Sequence, residues 1–255
     1  MTVPVLLVEH PSDAVAIVTL NRPDRRNALS IELLEVLCQT FETLAGEPRR
    51  RAVILRGAGP VFCAGLDLVE AAEITLAERS AGLVARLLKT VLASPLVTVA
   101  AVQGGAYAGG GGLMAACDFV AAAEDARFAF PEVRRGLLPA LISVVLRGRV
   151  RDSDLRELFL LAEPIDARRA LEVGLVNRVV PSDRLLAEAQ ALAATTLLGA
   201  PEAIRRTKRL LRSPEQDARL FNEAIAAHEA ARLSDEAQEG IAAFREHRPP
   251  SWQTH

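Results

Sequence analysis

Glu132 is the residue whose surroundings most favour acid–base chemistry. It lies in the segment FAFPEVRRGLLPALIS, residues 128–143, most of whose other members are apolar. A carboxyl group in apolar surroundings has a raised pKa, which suits a general acid or base near neutral pH. The adjacent Arg134 and Arg135 could instead hold the carboxylate ionised, which would make Glu132 an ordinary loop residue. The segment alone leaves both interpretations open.

Two segments rich in small residues could supply backbone N–H donors. In FCAGLDL, residues 62–68, Ala64 and Gly65 would let a ligand approach the main chain closely. In QGGAYAGGGGLMAACD, residues 103–118, a glycine cluster stands between a buried strand and a short helix, a geometry that favours negative charge at the helix start. The cluster could form an oxyanion hole. Alternatively, residues 110–115 fit G-x-G-x-x-A, and Glu132 could then contact the ribose of a dinucleotide.

Other kinds of catalytic site have little support. The histidines are scattered without metal-ligand spacing, so we expect no metal and assign them structural or surface roles. They are His10, His228, His247 and His255. No G-x-S-x-G elbow and no Walker A pattern is present. The three cysteines have neither metal nor redox spacing, which argues against a disulfide framework and fits a reducing, cytoplasmic location.

The elements that would position these residues alternate between strand and helix over the first two thirds of the chain. Apolar and β-branched runs predict strands at 14–20, 52–55, 96–102 and 118–123. Between them, helical periodicity predicts a helix capped by Ser30 and ended by Gly46, and further helices at 71–92 and 111–117. Helices dominate the last third, at 153–162, 166–173, 183–198, 201–212 and 215–245, with one strand at 176–180. This pattern predicts an α/β core with a helical C-terminal appendage.

Composition narrows the class of protein further. The 255 residues suffice for a sizeable core, and 30 basic against 32 acidic residues argue against nucleic acid as a partner. Between Lys89 and Asp118 lie 28 residues without formal charge, long enough to cross a membrane. Because glycines cluster in the middle of that run, we interpret it as a buried strand, a turn and a short helix. The N-terminus has no signal-peptide pattern, and we expect no membrane partner.

Taken in register, these segments resemble the crotonase superfamily of enoyl-CoA hydratases and isomerases. The resemblance covers nearly the whole chain, from VAIVTLNRPDRRNALS at 15–30 to DEAQEGIAAFREHRPPSW at 235–252. It implies a crotonase-like ββα spiral core at 1–195, and a helical region at 196–255 for trimerisation and part of the CoA site. It also implies an acyl-CoA substrate of fatty acid metabolism, no separate cofactor, and self-association as a homotrimer or hexamer.

The resemblance also implies roles for individual residues. The backbone N–H groups of Leu66 and Gly109 would hold the thioester oxygen, and Glu132 would be the acid or base. The residues expected to contact the substrate or its CoA part are Arg25, Arg26, Ala28, Ala64, Gly65, Asp67, Leu68, Gly110 and Phe244. In the family this phenylalanine often meets CoA across a trimer interface.

Departures from the family pattern leave the reaction open. Gly112 stands where hydratases usually carry a first glutamate, and a single base suffices for Δ3-to-Δ2-enoyl-CoA isomerisation. The segment LPALIS, residues 138–143, nevertheless resembles a branch with bacterial methylglutaconyl-CoA hydratase-like proteins. We therefore rank hydratase first and isomerase second. A non-catalytic acyl-CoA binder and a nicotinamide enzyme are the alternatives of other classes.

Two further departures concern other positions. Ala140 replaces the additional Asp of dienoyl-CoA isomerases, which disfavours that activity. His247 stands where the family often has a Lys near the CoA phosphates, and Arg25, Arg26 or Arg248 could compensate.

Overall fold

A six-stranded sheet forms the centre of the protein. The computed structural model describes residues 3–71, 77–212 and 214–253. The strand order is β1-β2-β3-β4-β6-β9, in which β1 and β2 form an antiparallel hairpin and the other neighbours are parallel. These strands are β1 (Leu6–Glu9), β2 (Val15–Leu20), β3 (Ala52–Gly57), β4 (Val97–Val102), β6 (Phe119–Ala123) and β9 (Arg178–Val180).

A second, three-stranded sheet of short strands lies beside the first. It consists of β5 (Gly105–Tyr107), β7 (Arg127–Ala129) and β8 (Ile165–Asp166), in that order. The chain repeatedly passes from a long strand of the first sheet to a short strand of the second. Thus β4 leads into β5 and then into helix α4 (Gly109–Ala115), and β6 leads into β7 and then into the turn Glu132–Arg135. This repeat places loop residues from successive turns of the chain side by side.

Six more helices precede the C-terminal region in the described part of the chain. They are α1 (Ile31–Gly46), α2 (Leu68–Ala71), α3 (Ala77–Ala93), α5 (Ala140–Leu146), α6 (Asp152–Arg156) and α7 (Ala167–Glu172). Ser30 caps α1 as predicted, because its Oγ accepts the Leu33 N–H at 3.2 Å. A π-helical turn, Glu157–Leu161, follows α6, so the helix predicted at 153–162 changes its hydrogen-bonding pattern midway.

The sheet is buried on both faces, which explains why its strands are apolar at almost every position. Along β2, Ala16 and Val18 face one cluster of buried side chains while Ile17 faces the other. Helices α1, α3, α4 and α5 cover the first face, and α8 (Leu185–Leu197) covers the second.

Three helices follow α8 in the described chain, and the last two of them carry buried residues. These are α9 (Pro201–Leu210), α10 (Pro214–Arg232) and α11 (Asp235–Arg245). The prediction of one helix over 215–245 was wrong, because Ser234 begins a new helix with its Oγ accepting the Ala237 N–H at 3.2 Å. Helix α10 packs against α3 and α5, and α11 packs against the turn Glu132–Arg135.

The uncharged run between Lys89 and Asp118 folds much as predicted. It contains the end of α3, then β4, β5 and α4, and α4 begins at Gly109 rather than at the predicted residue 111. Among the residues described, none of the helices is both long and apolar enough to cross a membrane.

Candidate active site

A cleft of about 650 Å³, counting the open space at its mouth, brings the three predicted catalytic residues together. Leu66, Gly109 and Glu132 all line it, although they come from three separate segments of the chain. Its walls are formed by the start of α4, the turn Glu132–Arg135, the segment leading into α5, and side chains from α3 and α10. The further lining residues are Ala64, Val84, Ala108, Arg135, Leu137, Leu138, Pro139, Ala140, Leu141, Ile142, His228 and Arg232.

The backbone nitrogens of Leu66 and Gly109 face the same small region. A Cβ placed on Gly109 would be 3.8 Å from the Leu66 nitrogen, and one placed on Gly65 would be 3.4 Å from the Gly109 nitrogen. Within the described parts of the chain, neither N–H donates to a backbone carbonyl. Gly109 is also the first residue of α4, where an N–H has no intrahelical acceptor. One oxygen atom could therefore accept from both donors.

Local backbone conformation brings these two donors together. Gly65 has φ +90°, and a side chain there would be 2.9 Å from the Tyr107 carbonyl oxygen. Ala108, immediately before α4, has φ +49°, which is unusual for a residue with a Cβ and costs about 1–3 kcal/mol. The Leu29 N–H donates to the Gly65 carbonyl at 2.8 Å. The Asp67 N–H donates to the Leu29 carbonyl at 3.1 Å, so Leu66 is fixed from both sides.

An ion pair fixes the loop that carries Leu66. Arg22 Nη2 and Asp67 Oδ2 are 2.9 Å apart, and both side chains are largely buried. Arg22 also donates to the Ala28 carbonyl, and Asp67 Oδ1 accepts the Val69 N–H at 3.1 Å. The structure therefore gives Asp67, predicted as a CoA contact, partners within the chain.

Asn27 is a second organising residue, which the sequence analysis did not single out. Its side chain is fully buried, accepts the Arg22 N–H at 2.9 Å, and donates to the carbonyls of Ala58 and Val61 at 2.9 and 2.8 Å. Its φ of +54° is one that asparagine tolerates better than most residues. Its contacts hold the first loop against the loop that leads to Ala64.

Glu132 has the environment expected of an acid–base residue. It begins the turn Glu132–Arg135, and its Oε2 is buried without a hydrogen-bond partner. Burial raises the pKa of Glu132 to about 7, against the smaller lowering effects of a backbone hydrogen bond and of Arg135. Near neutral pH the group is therefore present in both protonation states, and it can accept or donate a proton.

Helix α11 packs tightly against the turn that carries Glu132. A Cβ on Gly240 would be 2.3 Å from the Arg135 carbonyl oxygen, and one on Gly136 would be 2.2 Å from the Glu236 carbonyl oxygen. The Phe244 ring centroid lies 4.2 Å from the guanidinium carbon of Arg135. Phe244, predicted to meet CoA, thus packs beside the cleft of its own chain.

Gly112 has no space for the carboxylate that hydratases usually carry there. A Cβ at Gly112 would be 2.4 Å from Ile142 Cγ2. Ile142 comes from α5 and lines the cleft. An apolar side chain therefore occupies the volume into which a residue at position 112 would extend.

The glycine cluster does not form a dinucleotide-binding turn. Side chains on Gly110, Gly111 and Gly112 would meet Cys63, Phe130 and Ile142 at 2.4–2.6 Å. The absent side chains make room for the protein's own atoms and not for a pyrophosphate. The nicotinamide alternative, which depended on this cluster, therefore loses its basis.

The residues predicted to contact CoA differ in their surroundings. Arg25 and Arg26 are exposed, and no ion pair involves either of them among the described residues. Arg248 donates to Glu239 and Glu246, so its guanidinium has acidic partners within the chain. Of the other residues predicted to contact substrate, Ala64 lines the cleft, Ala28 precedes the buried Leu29, and Leu68 begins α2.

Two cleft residues were missed by the sequence analysis. His228 and Arg232 lie on α10, are 7% and 6% exposed, and line the cleft. Their signal is a helical spacing, because Phe221, Ala224, His228 and Arg232 recur at intervals of three and four residues on one buried face. This polar pair continues the apolar stripe of α10. The sequence analysis gave His228 a structural or surface role and did not place it in the cleft.

Known proteins are similar to this chain in sequence and in fold. A profile of the enoyl-CoA hydratase/isomerase family matches residues 10–255. The enoyl-CoA hydratase EchA19 of Mycobacterium tuberculosis is 36% identical over 249 residues, which are 93% of this chain and 92% of that protein. The enoyl-CoA isomerase/hydratase fer4 of Mycosarcoma maydis is 34% identical over 91% of this chain and 89% of its own length.

The architecture agrees with a solved structure as well. The crystal structure of an enoyl-CoA hydratase from Mycobacterium avium superimposes with a TM-score of 0.89 at 33% identity, covering 98% of this chain and 100% of that one. This likeness confirms the predicted fold, an α/β crotonase spiral. The chain therefore belongs to the enoyl-CoA hydratase/isomerase family of the crotonase superfamily.

Proposed function

We propose that this protein is an enoyl-CoA hydratase-type lyase that uses Glu132 as its single acid–base residue. The observation that carries the proposal is the shared cleft, which is lined by a carboxyl group of raised pKa and by two residues whose backbone N–H groups have no backbone acceptors among the described residues. The hydratase name of EchA19 supports the same assignment, whereas the name of fer4 includes both activities.

In the proposed reaction, Leu66 and Gly109 donate their backbone hydrogens to the thioester oxygen. Glu132 removes a proton from water, and the water oxygen bonds to C3 of the enoyl group. The electron pair of the double bond moves toward the thioester, and its oxygen carries the negative charge of an enolate. Glu132 then returns the proton to C2, so the product is the substrate plus one water. Each backbone donor contributes about 3–4 kcal/mol in comparable oxyanion holes.

CoA itself is part of the substrate, so the proposal requires no separate cofactor. We assign the exposed Arg25 and Arg26 to the phosphate groups of CoA, because both lie outside the ion pairs of the described chain.

We also propose self-association as a trimer or hexamer. Leu198, Leu210 and Leu211 are 88%, 84% and 82% exposed at the ends of neighbouring helices, which a subunit interface would cover.

A Δ3-to-Δ2-enoyl-CoA isomerase is the second candidate, and one contact favours it. Ile142 fills the space beside Gly112, and among the described residues that line the cleft none besides Glu132 supplies a carboxylate to hold and orient water. Moving a proton from C2 to C4 requires one base, and Glu132 is sufficient for it.

A panel of 2-enoyl- and 3-enoyl-CoA thioesters in heavy water separates the candidates. A product heavier by one water identifies a hydratase, whereas deuterium uptake without added water identifies an isomerase. Binding of every thioester without conversion would point instead to a non-catalytic acyl-CoA binder and refute both enzymes. The Gln variant of Glu132 is the matched control, and it should lose whichever conversion the wild type performs.

A further inference from the structure

Part of the cleft wall is polar although most of the cleft is apolar. Among the described lining residues with titratable side chains are Glu132 and Arg135 on one turn, and His228 and Arg232 on α10. The two α10 residues are one helical turn apart and more than nine-tenths buried. A hydrocarbon acyl chain offers such groups nothing to bind.

An unsatisfied atom marks this wall as a ligand contact. His228 Nε2 is buried and has no hydrogen-bond partner. Within the described chain it shares this property with Glu132 Oε2 and Arg212 Nε, and the first of these lines the same cleft. A buried polar atom left unpaired lowers stability, so a group that satisfies it on binding gains affinity.

The charge near His228 indicates which group that is. Burial, and then the charge of Arg232, lower the pKa of His228 to about 4, so its ring is neutral at physiological pH. A neutral imidazole can donate one N–H, and the guanidinium of Arg232 adds positive charge at the same wall. An oxygen acceptor with negative charge suits both.

We propose that His228 and Arg232 form a subsite for a carboxylate at the far end of the acyl group. The substrate class would then be an enoyl-CoA whose acyl chain ends in a second carboxyl group, rather than in a methyl group. The inference rests on the proposed function only in taking the substrate to be an unsaturated thioester, because the subsite itself concerns binding.

Saturated thioesters test the subsite without any chemistry. Succinyl-, glutaryl- and adipyl-CoA are compared by calorimetry with butanoyl-, pentanoyl- and hexanoyl-CoA, so that each pair differs only in its end group. We expect about tenfold tighter binding of the carboxylate in at least one pair, as for one charge-assisted hydrogen bond. Equal binding within every pair, or no binding at all, would overturn the proposal.

Variants then assign the preference to these side chains. His228→Leu and Arg232→Leu should each bring the ratio of the two affinities within a pair close to one, whatever the affinity for the methyl-ended thioester itself. Arg219→Leu is the matched control for Arg232→Leu, because Arg219 is exposed on the same helix and the same positive charge is removed. If a leucine variant fails to fold, His228→Gln retains a donor and should keep part of the preference. A preference that survives in the variants that fold would assign the carboxylate to another site.

Turnover separates this proposal from the proposed function. A preference among saturated thioesters without turnover of any enoyl-CoA would refute the enzyme assignment and keep the subsite. Turnover of methyl-ended enoyl-CoAs without any such preference would refute the subsite and keep the enzyme assignment.

Discussion

Replacing Glu132 by Gln should stabilise the folded protein above neutral pH although it removes a catalytic group. The buried carboxyl has its pKa raised to about 7 from an ordinary value of 4.5. In alkaline solution the wild type must therefore keep an ionised carboxylate in a cleft where it is less well solvated than in the unfolded chain. Gln has nearly the same shape and never ionises, so the variant has no such cost.

The size of the effect follows from the two pKa values. A difference of about 2.5 between folded and unfolded states corresponds to about 3 kcal/mol. Because the folded-state pKa is the higher one, the stability that protonation gives is fully present below pH 4.5. It is lost as the pH rises to 7. The free energy of unfolding of the wild type should therefore fall by about 3 kcal/mol relative to the variant across this interval, and remain level above it.

Urea unfolding followed by circular dichroism, from pH 4.5 to pH 8.5, measures this difference. Protomer concentration is held fixed, because association would otherwise change the apparent stability. Glu124→Gln, at an exposed position, controls for exchanging a carboxyl for an amide. A difference between wild type and Glu132→Gln that does not vary with pH, or that grows toward acid, would refute the assignment of a raised pKa. The same variant should lose about 10²–10⁴-fold in turnover.

Three glycine positions give further predictions. Gly65→Ala should lower kcat/KM about 10²-fold while circular dichroism stays unchanged, because the new Cβ displaces the neighbouring oxyanion donor; unaltered kinetics would argue against that donor. Gly112→Glu should lower the melting temperature through the close approach of Ile142, and its combination with Ile142→Ala should cost less than the sum of the two single changes; strictly additive costs would contradict the close approach. Gly240→Ala should shift the acid limb of the pH–rate profile by moving the turn at Arg135, and an identical profile would mean that α11 does not position Glu132.

Local sequence signals predict much of this fold correctly. Ser30 caps α1, and β4 begins two residues after Pro95. The strands β5, β7 and β8 were not predicted, since they have only two or three residues and form by pairing with distant segments. The break at Ser234 had a usable local signal, a capping serine followed by two acidic residues, but the alanine-rich periodicity on both sides concealed it.

The candidate site also contains residues that the sequence predicts and residues that it does not. The motifs of the resemblance point to Leu66, Gly109 and Glu132, and the structure places all three in one cleft. Which side chains fill the rest of that cleft depends on how distant elements pack. Ile142 and His228 enter it because α5 and α10 pack against each other, and no local pattern specifies that contact.

The central claim is that a thioester carbonyl lies between the N–H groups of Leu66 and Gly109, beside Glu132. Isotope-edited infrared spectroscopy of a bound enoyl-CoA, labelled with ¹³C at the thioester carbon, tests this directly. Two hydrogen bonds should polarise the carbonyl, and we predict that its stretching frequency falls on binding. A frequency equal to that of the free thioester in water or higher, with the ligand shown to be bound, would contradict the claim.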